Sequence, residues 1–254
     1  MVGTLLLRGM LAGLIAGLLA FGFLKIAGEA SVDRAIAFES AMEASEHHDH
    51  DHDHGDAPAT EAVSRDTQSG IGLLTGTAVY GASFGGLFAL AFAFAYGRVG
   101  PSEPRALSAL IALAAFAAVY FVPNLKYPSN PPAVGEADTI GTRTALYFGM
   151  MAISVVAAVA AVMLRQRFRA KLDGWNASLA AAALYLVVVI AAGIVLPPVD
   201  EVPAAFSASL LWRFRLAAIG GQAVLWAVTG LTFGWLTLRA ERGQSGLGLG
   251  VARP

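Results

Sequence analysis

The chain has 254 residues, 56% of them hydrophobic and only 14% charged, with a formal net charge of −1 and no cysteine. A mean hydropathy of +0.62 is too apolar for a soluble domain, where about a quarter of residues are charged, and runs of ~20 apolar residues mark membrane spans. The missing cysteines exclude disulfides, thiolate metal sites and dithiol redox motifs, and the near-neutral balance gives no pull toward nucleic acid.

Six apolar runs are expected to cross a membrane, at residues 4–24, 71–96, 106–122, 144–164, 177–196 and 216–238, or five if the first is discounted. This predicts one polytopic, all-α integral membrane domain with a long His/Asp-rich loop after the first span. In the first run Gly9, Gly13 and Gly17 fall on one helical face, a small-xxx-small stripe suited to close helix approach or oligomerisation. The same run also reads as a signal peptide with Arg8 in its charged region. Either way the chain emerges outside.

Residues 25–69 form the one long polar segment. Residues 28–46 predict an amphipathic helix with Val32, Ile36 and Phe38 as apolar contacts. Glu29 and Asp33, like Glu39 and Glu43, are four apart, and such like-charged pairs repel unless a cation sits between them. They read either as a solvated acidic face or as a carboxylate site beside the membrane. The stretch from Glu46 to Asp56 then holds all five histidines, alternating with aspartates. His47, His48, Asp49, His50, Asp51, His52, Asp53 and His54 offer imidazole and carboxylate ligands for divalent metals. A low-complexity linker is the bland reading, but a linker has no need of every histidine in the protein. A tract of this kind collects metal without imposing geometry, so Cu²⁺ should bind tightest and Co²⁺ more weakly than Ni²⁺. The Pro, Ala, Thr and Ser after Gly55 predict a disordered linker.

In the second run Gly72/Gly76 and Gly81/Gly85 repeat the four-residue spacing. A turn at 97–105 and the third run follow. Four prolines between 123 and 132 are expected to forbid regular helix there, with Glu136, Asp138 and Arg143 close behind. Arg165, Arg167, Arg169 and Lys171 after the fourth run are the densest basic cluster. They predict a cytoplasmic loop, which puts both termini on that side and the His tract and the two Pro-rich loops outside. Pro197 to Pro203 breaks the chain after the fifth run and carries Asp200 and Glu201. Phe206, Leu210 and Phe214 beyond it predict a short helix lying along the membrane surface. Trp175, Trp212 and Trp235 fall near span ends, as interfacial anchors do.

The predicted spans hold no His, Cys, Asp or Glu. The polar candidates, mostly at span ends, are Arg8, Asn124, Arg143, Arg213, Arg215 and Gln222, and an arginine near a span end is more often a snorkelling anchor than a functional group. A metal route would then use carbonyls at broken helices, the sulfurs of Met10, Met150 and Met151, or the mouth carboxylates Glu29, Asp33, Asp138, Asp200 and Glu201. No phosphate-binding loop, Gly-x-Ser-x-Gly or His-Glu-x-x-His motif occurs, so no enzyme is expected.

Several phrases are similar to the CbtA family of cobalt transporter subunits. They are Leu7-Arg8-Gly9-Met10-Leu11-Ala12-Gly13, Glu29 with Val32-Asp33-Arg34-Ala35-Ile36-Ala37-Phe38-Glu39, and Asn130-Pro131-Pro132-Ala133-Val134-Gly135. Asp138-Thr139-Ile140-Gly141, Arg143-Thr144-Ala145-Leu146-Tyr147, Leu196-Pro197-Pro198-Val199-Asp200-Glu201-Val202-Pro203 and Leu211-Trp212-Arg213-Phe214-Arg215 complete the likeness. That family is usually described with about five spans, against the six counted here. The resemblance implies cobalt uptake linked to cobalamin synthesis, at the bacterial cytoplasmic membrane, with a small single-span CbtB-type partner. Cobalt is then the expected cargo, with nickel or zinc as alternatives and no prosthetic group. A membrane-held metal buffer or assembly protein is the competing reading. The family brings no catalytic residue set. The matching phrases cover Arg8, Glu29, Asp33, Glu39, Asn130, Asp138, Arg143, Asp200, Glu201, Arg213 and Arg215, which with Asn124 are the candidates for a path or gate.

Overall fold

Runs rich in Ala, Leu and Val, closed by proline or polar turns, wind into helix wherever the computed structural model describes the chain, at residues 2–47 and 63–248. In order these are α1 (Val2–Ala27), α2 (Glu29–His47), α3 (Arg65–Ala95), α4 (Pro104–Lys126), α5 (Ile140–Phe168), α6 (Gly174–Val195) and α7 (Ala208–Gly248). All of them except α2 are long and apolar enough to cross a membrane, and no strand occurs among the described residues. The protein is therefore an all-helical, multi-pass membrane protein. His47 ends α2, while His48, Asp49, His50, Asp51, His52, Asp53 and His54 lie outside the described residues.

The glycine stripe of α1 is used inside the chain. A methyl group on Gly13 would stand 2.0 Å from the Gly81 carbonyl oxygen, and one on Gly85 would stand 2.1 Å from that of Gly9. The two backbones touch along Gly9, Gly13 and Gly17 because helices in lipid gain most from close van der Waals contact. The Gly9–Gly17 and Gly81/Gly85 faces expected to serve oligomerisation are thus covered by each other. Helix α7 closes this pair, with Ala16 and Ala20 of α1 against its Leu225. Helix α4 packs on α7, where the Ser108 hydroxyl donates to the Gly230 carbonyl at 2.6 Å. Helices α5 and α6 form a hairpin joined at depth by Ser154 and Tyr185, 2.9 Å apart.

Two expectations are corrected. Proline does not end the third span: residues Phe116–Phe121 wind as a π-helix and the helix runs on through Pro123 to Lys126. The wider π turn, closed by the Val122 N–H donating to the Ala117 carbonyl, accommodates a residue without an N–H whose ring would clash with an α-helical turn. Nor is there a separate surface helix around Phe206, Leu210 and Phe214. Leu210 and Phe214 belong to α7, which is continuous because no proline or glycine occurs between Ala208 and Gly220. Phe206 precedes it and is buried against Ala35 and Val134, edge-on to Phe38 at 5.1 Å.

The polar segments gather at two ends of the bundle. One end brings together α2, the Tyr127–Thr139 segment and the Leu196–Ser207 segment. The opposite end carries the basic turns, with Gln166 donating to the Arg98 carbonyl and Tyr96 bonded to Glu241 at 2.8 Å.

Candidate functional site

Arg65 resolves the repulsion built into α2. Its Nη2 pairs with Glu29 and its Nε donates to Asp33 Oδ1 at 3.0 Å, so one guanidinium bridges both carboxylates. Beside it, Lys25 Nζ donates to the carbonyl and hydroxyl of Ser69 at 3.0 and 3.1 Å. These contacts fasten the two stems of the segment that contains the His tract. Glu29 and Asp33 are occupied by a cation of the protein itself.

The second cluster forms where the two Pro-rich loops meet. Glu201 Oε2 accepts from the Glu136 backbone N–H at 2.9 Å and from the Thr139 hydroxyl at 2.9 Å. Arg143 Nε lies 3.2 Å away, at ion-pair distance but without hydrogen-bond alignment. Arg143 Nη2 donates to the Glu136 carbonyl at 2.8 Å. The backbone reaches this arrangement through a left-handed Ala133, at φ 64°, and a Gly135 at φ 110°. Chiefly the Glu136 N–H, helped by the Thr139 hydroxyl and the Arg143 charge, holds the Glu201 carboxyl below the usual carboxylate range, against a smaller opposing effect of burial. Two further bonds fix the loops. Tyr127 donates to the Pro197 carbonyl at 2.8 Å, and the buried Asn124 side-chain oxygen accepts from the Ser129 N–H and hydroxyl at 3.0 Å.

Three cavities open around this lock. A first, of about 700 Å³, is lined by Lys126, Ser129, Asn130, Arg143, Tyr147, Asp200, Glu201 and Arg215. A second, of about 610 Å³, shares Asp200 and Glu201 with it and adds Glu39, Glu43 and Glu136. A third, of about 230 Å³, shares Ser129 with the first and lies deeper, among Thr77, Tyr80, Tyr120 and Gln222 from α3, α4 and α7. Tyr120 belongs to the π stretch, and its hydroxyl lies 3.5 Å from Ser129 Oγ. The buried Gln222 side-chain oxygen has no hydrogen-bond partner. Toward the basic end an aromatic cluster follows, with Phe88 and Phe92 packed on Phe233 at 5.4 and 4.9 Å and Phe84 on Trp226 at 5.9 Å.

A family model described as probable cobalt transporter subunit (CbtA) matches residues 2–238. The chain belongs to the CbtA family. No curated protein and no solved structure matches it. The family is that of a transporter subunit, which implies partner subunits and speaks for transport rather than catalysis.

On this CbtA chain the predicted residues separate into three sets. Asn124, Asn130, Arg143, Asp200, Glu201 and Arg215 come together around the lock and the first cavity, and Glu39 lines the neighbouring one. Glu29 and Asp33 sit in the Arg65 bridge. Asp138 and Arg213 are exposed and line none of these cavities, and Arg8 lies more than three turns of α1 away from Ala20, which lines the deepest one. The sulfurs do not form a route: Met10 is exposed on the outer face, and Met150 is packed with Tyr127 and Val189. Among the described residues no group of three or more His, Asp or Glu could hold a metal ion. Sequence reasoning missed Arg65, Tyr80, Tyr120, Tyr147, Lys126 and Ser129. The tyrosines read as ordinary apolar span residues, and a linear sequence does not show that Arg65 folds back onto a helix 36 residues earlier.

Proposed function

We propose that this chain is the membrane subunit of a divalent-metal uptake transporter, with cobalt as the first cargo, working with a small single-span CbtB-type partner in the bacterial cytoplasmic membrane. The observation that carries the reading is the chain of cavities, in which Asp200 and Glu201 join the first two and Ser129 joins the first to the deepest. A cation entering lipid depth needs fixed oxygen ligands in place of water. Asp200 at the mouth, Asn130 and Ser129 midway, and the phenol and amide oxygens of Tyr120, Tyr80 and Gln222 at depth form such a series. The aromatic cluster closes it toward the basic end, so the described conformation is the one open to the outside. The basic turns are cytoplasmic, by the positive-inside rule.

The residues His47 to His54 collect metal outside and feed the mouth, without taking part in the passage itself. Glu201, Thr139, Glu136 and Arg143 hold the mouth's two loops together and keep the mouth in its open shape. The test is cell-associated cobalt in cells that lack other cobalt uptake, expressing the chain with and without the small partner. A partner-dependent rise supports the proposal, and equal cobalt in all strains overturns it.

A further inference from the structure

The first cavity is chemically odd for a bare cation. Lys126, Arg143 and Arg215 face it against two carboxylates, Asp200 and Glu201, and Glu201 is already engaged by Arg143. Arg215 has no carboxylate partner among the described residues. Its Nη2 donates to the neutral Asn130 side-chain oxygen at 2.9 Å, and its buried Nε has no hydrogen-bond partner. A guanidinium taken out of water is costly unless an anion or full hydrogen bonding compensates it, and its planar fork matches a carboxylate better than any other common group. The cavity's volume of about 700 Å³ falls in the range of small-molecule sites, and the Ser129 hydroxyl on the same wall adds a polar group beside the Arg215–Asn130 pair.

We propose that this outer cavity binds a small polycarboxylate anion, either free or as the chelate that carries the divalent metal. Arg215 and Lys126 supply the binding charges, and Ser129 and Asn130 orient the anion. The inference rests on the uptake reading above and gives it a substrate form. Bare Co²⁺ is repelled by the guanidiniums at this point, whereas its 1:1 complex with a tricarboxylate carries net negative charge and is attracted. Asp200, on the rim, faces the metal side of such a complex.

The test is calorimetric titration of the purified full-length chain in lipid nanodiscs with three probes: sodium citrate, 1:1 cobalt–citrate and cobalt chloride. Citrate, cobalt–citrate or both should bind, more weakly as salt rises. Arg215→Gln should weaken binding about tenfold, Arg215→Lys by less because it keeps the charge and loses the fork, and Lys126→Gln about threefold. Thermal melting of each variant reports whether it is folded, and Lys126→Gln and Arg215→Lys carry the test if Arg215→Gln fails to fold. Comparing the citrate and cobalt–citrate arms decides whether the anion comes alone or with metal. Absence of binding in both arms, or binding that none of the three variants alters, overturns the proposal. Partner-dependent cobalt uptake without citrate binding overturns this inference alone, and citrate binding without uptake overturns the transport reading alone.

Discussion

Gly135→Ala is the sharpest probe of the lock. The new methyl group would stand 2.0 Å from Arg143 Nη1 and 2.6 Å from its Cζ, so the guanidinium must retreat by more than an ångström to reach ordinary contact. Such a shift stretches the 2.8 Å bond from Arg143 Nη2 to the Glu136 carbonyl beyond hydrogen-bond length. Alanine at φ 110° adds backbone strain of about 1–3 kcal/mol, and the lost bond about 1 kcal/mol more. A total of roughly 2–4 kcal/mol raises the open population of the loop by between about 30-fold and nearly 1000-fold. The assay is hydrogen exchange at the Glu136 amide, which donates to Glu201 in the locked loop, on full-length protein in nanodiscs. Exchange there should accelerate by that factor, and cobalt uptake should fall. Gly141→Ala is the control, because nothing lies within 4 Å of its added methyl. Equal protection of Glu136 in the two variants would refute the reasoning.

Three other outcomes are expected. Gly13→Val should lower the melting temperature strongly, since the added carbon meets the Gly81 backbone at 2.0 Å and overpacking costs about 1–3 kcal/mol, whereas Gly76→Val, with open space around it, should not. The Glu201 carboxyl titrates below the usual carboxylate value, so its share of the lock is present above that value and is lost as pH falls through the lowered one. Protection of the Glu136 amide, corrected for intrinsic exchange, should therefore be flat from pH 8 to about 5 and collapse below about 4. Deleting residues 46–56 should weaken uptake at low external metal and leave it largely intact at high metal, and the low-metal advantage of the full chain should fade as pH drops through about 6.5, where histidine protonates. Uptake abolished at every concentration by the deletion would place the tract in the route.

The span pattern was readable because lipid demands uninterrupted apolar helix, and that demand is written residue by residue from Val2 to Leu238. The candidate site was partly readable too. Asn130, Asp200 and Glu201 stand among the prolines of the two loops, and Arg143 and Arg215 are charged groups at the ends of apolar runs. What stayed hidden depends on distant partners. Gly9, Gly13 and Gly17 announce a close contact without saying that the partner is Gly81 and Gly85 of the same chain. Pro123 reads as a stop because the π turn that absorbs it has no local signature. Tyr80, Tyr120 and Gln222 come to one cavity only when α1, α3, α4 and α7 meet. Arg65 falls in a polar stretch whose charge gives no hint that it bridges Glu29 and Asp33.

In the proposed function, metal passes through the chain by way of the cavity under Ser129. Vesicles loaded with a cobalt-sensitive dye and carrying the purified chain with its small partner measure this directly. A cobalt-dependent signal is expected from the filled vesicles, dropping at least fivefold when Gln222→Leu removes an oxygen of the deepest cavity, with folding verified by melting. Cobalt that binds the protein while the enclosed dye stays silent, in the wild type as in the variant, would contradict such passage.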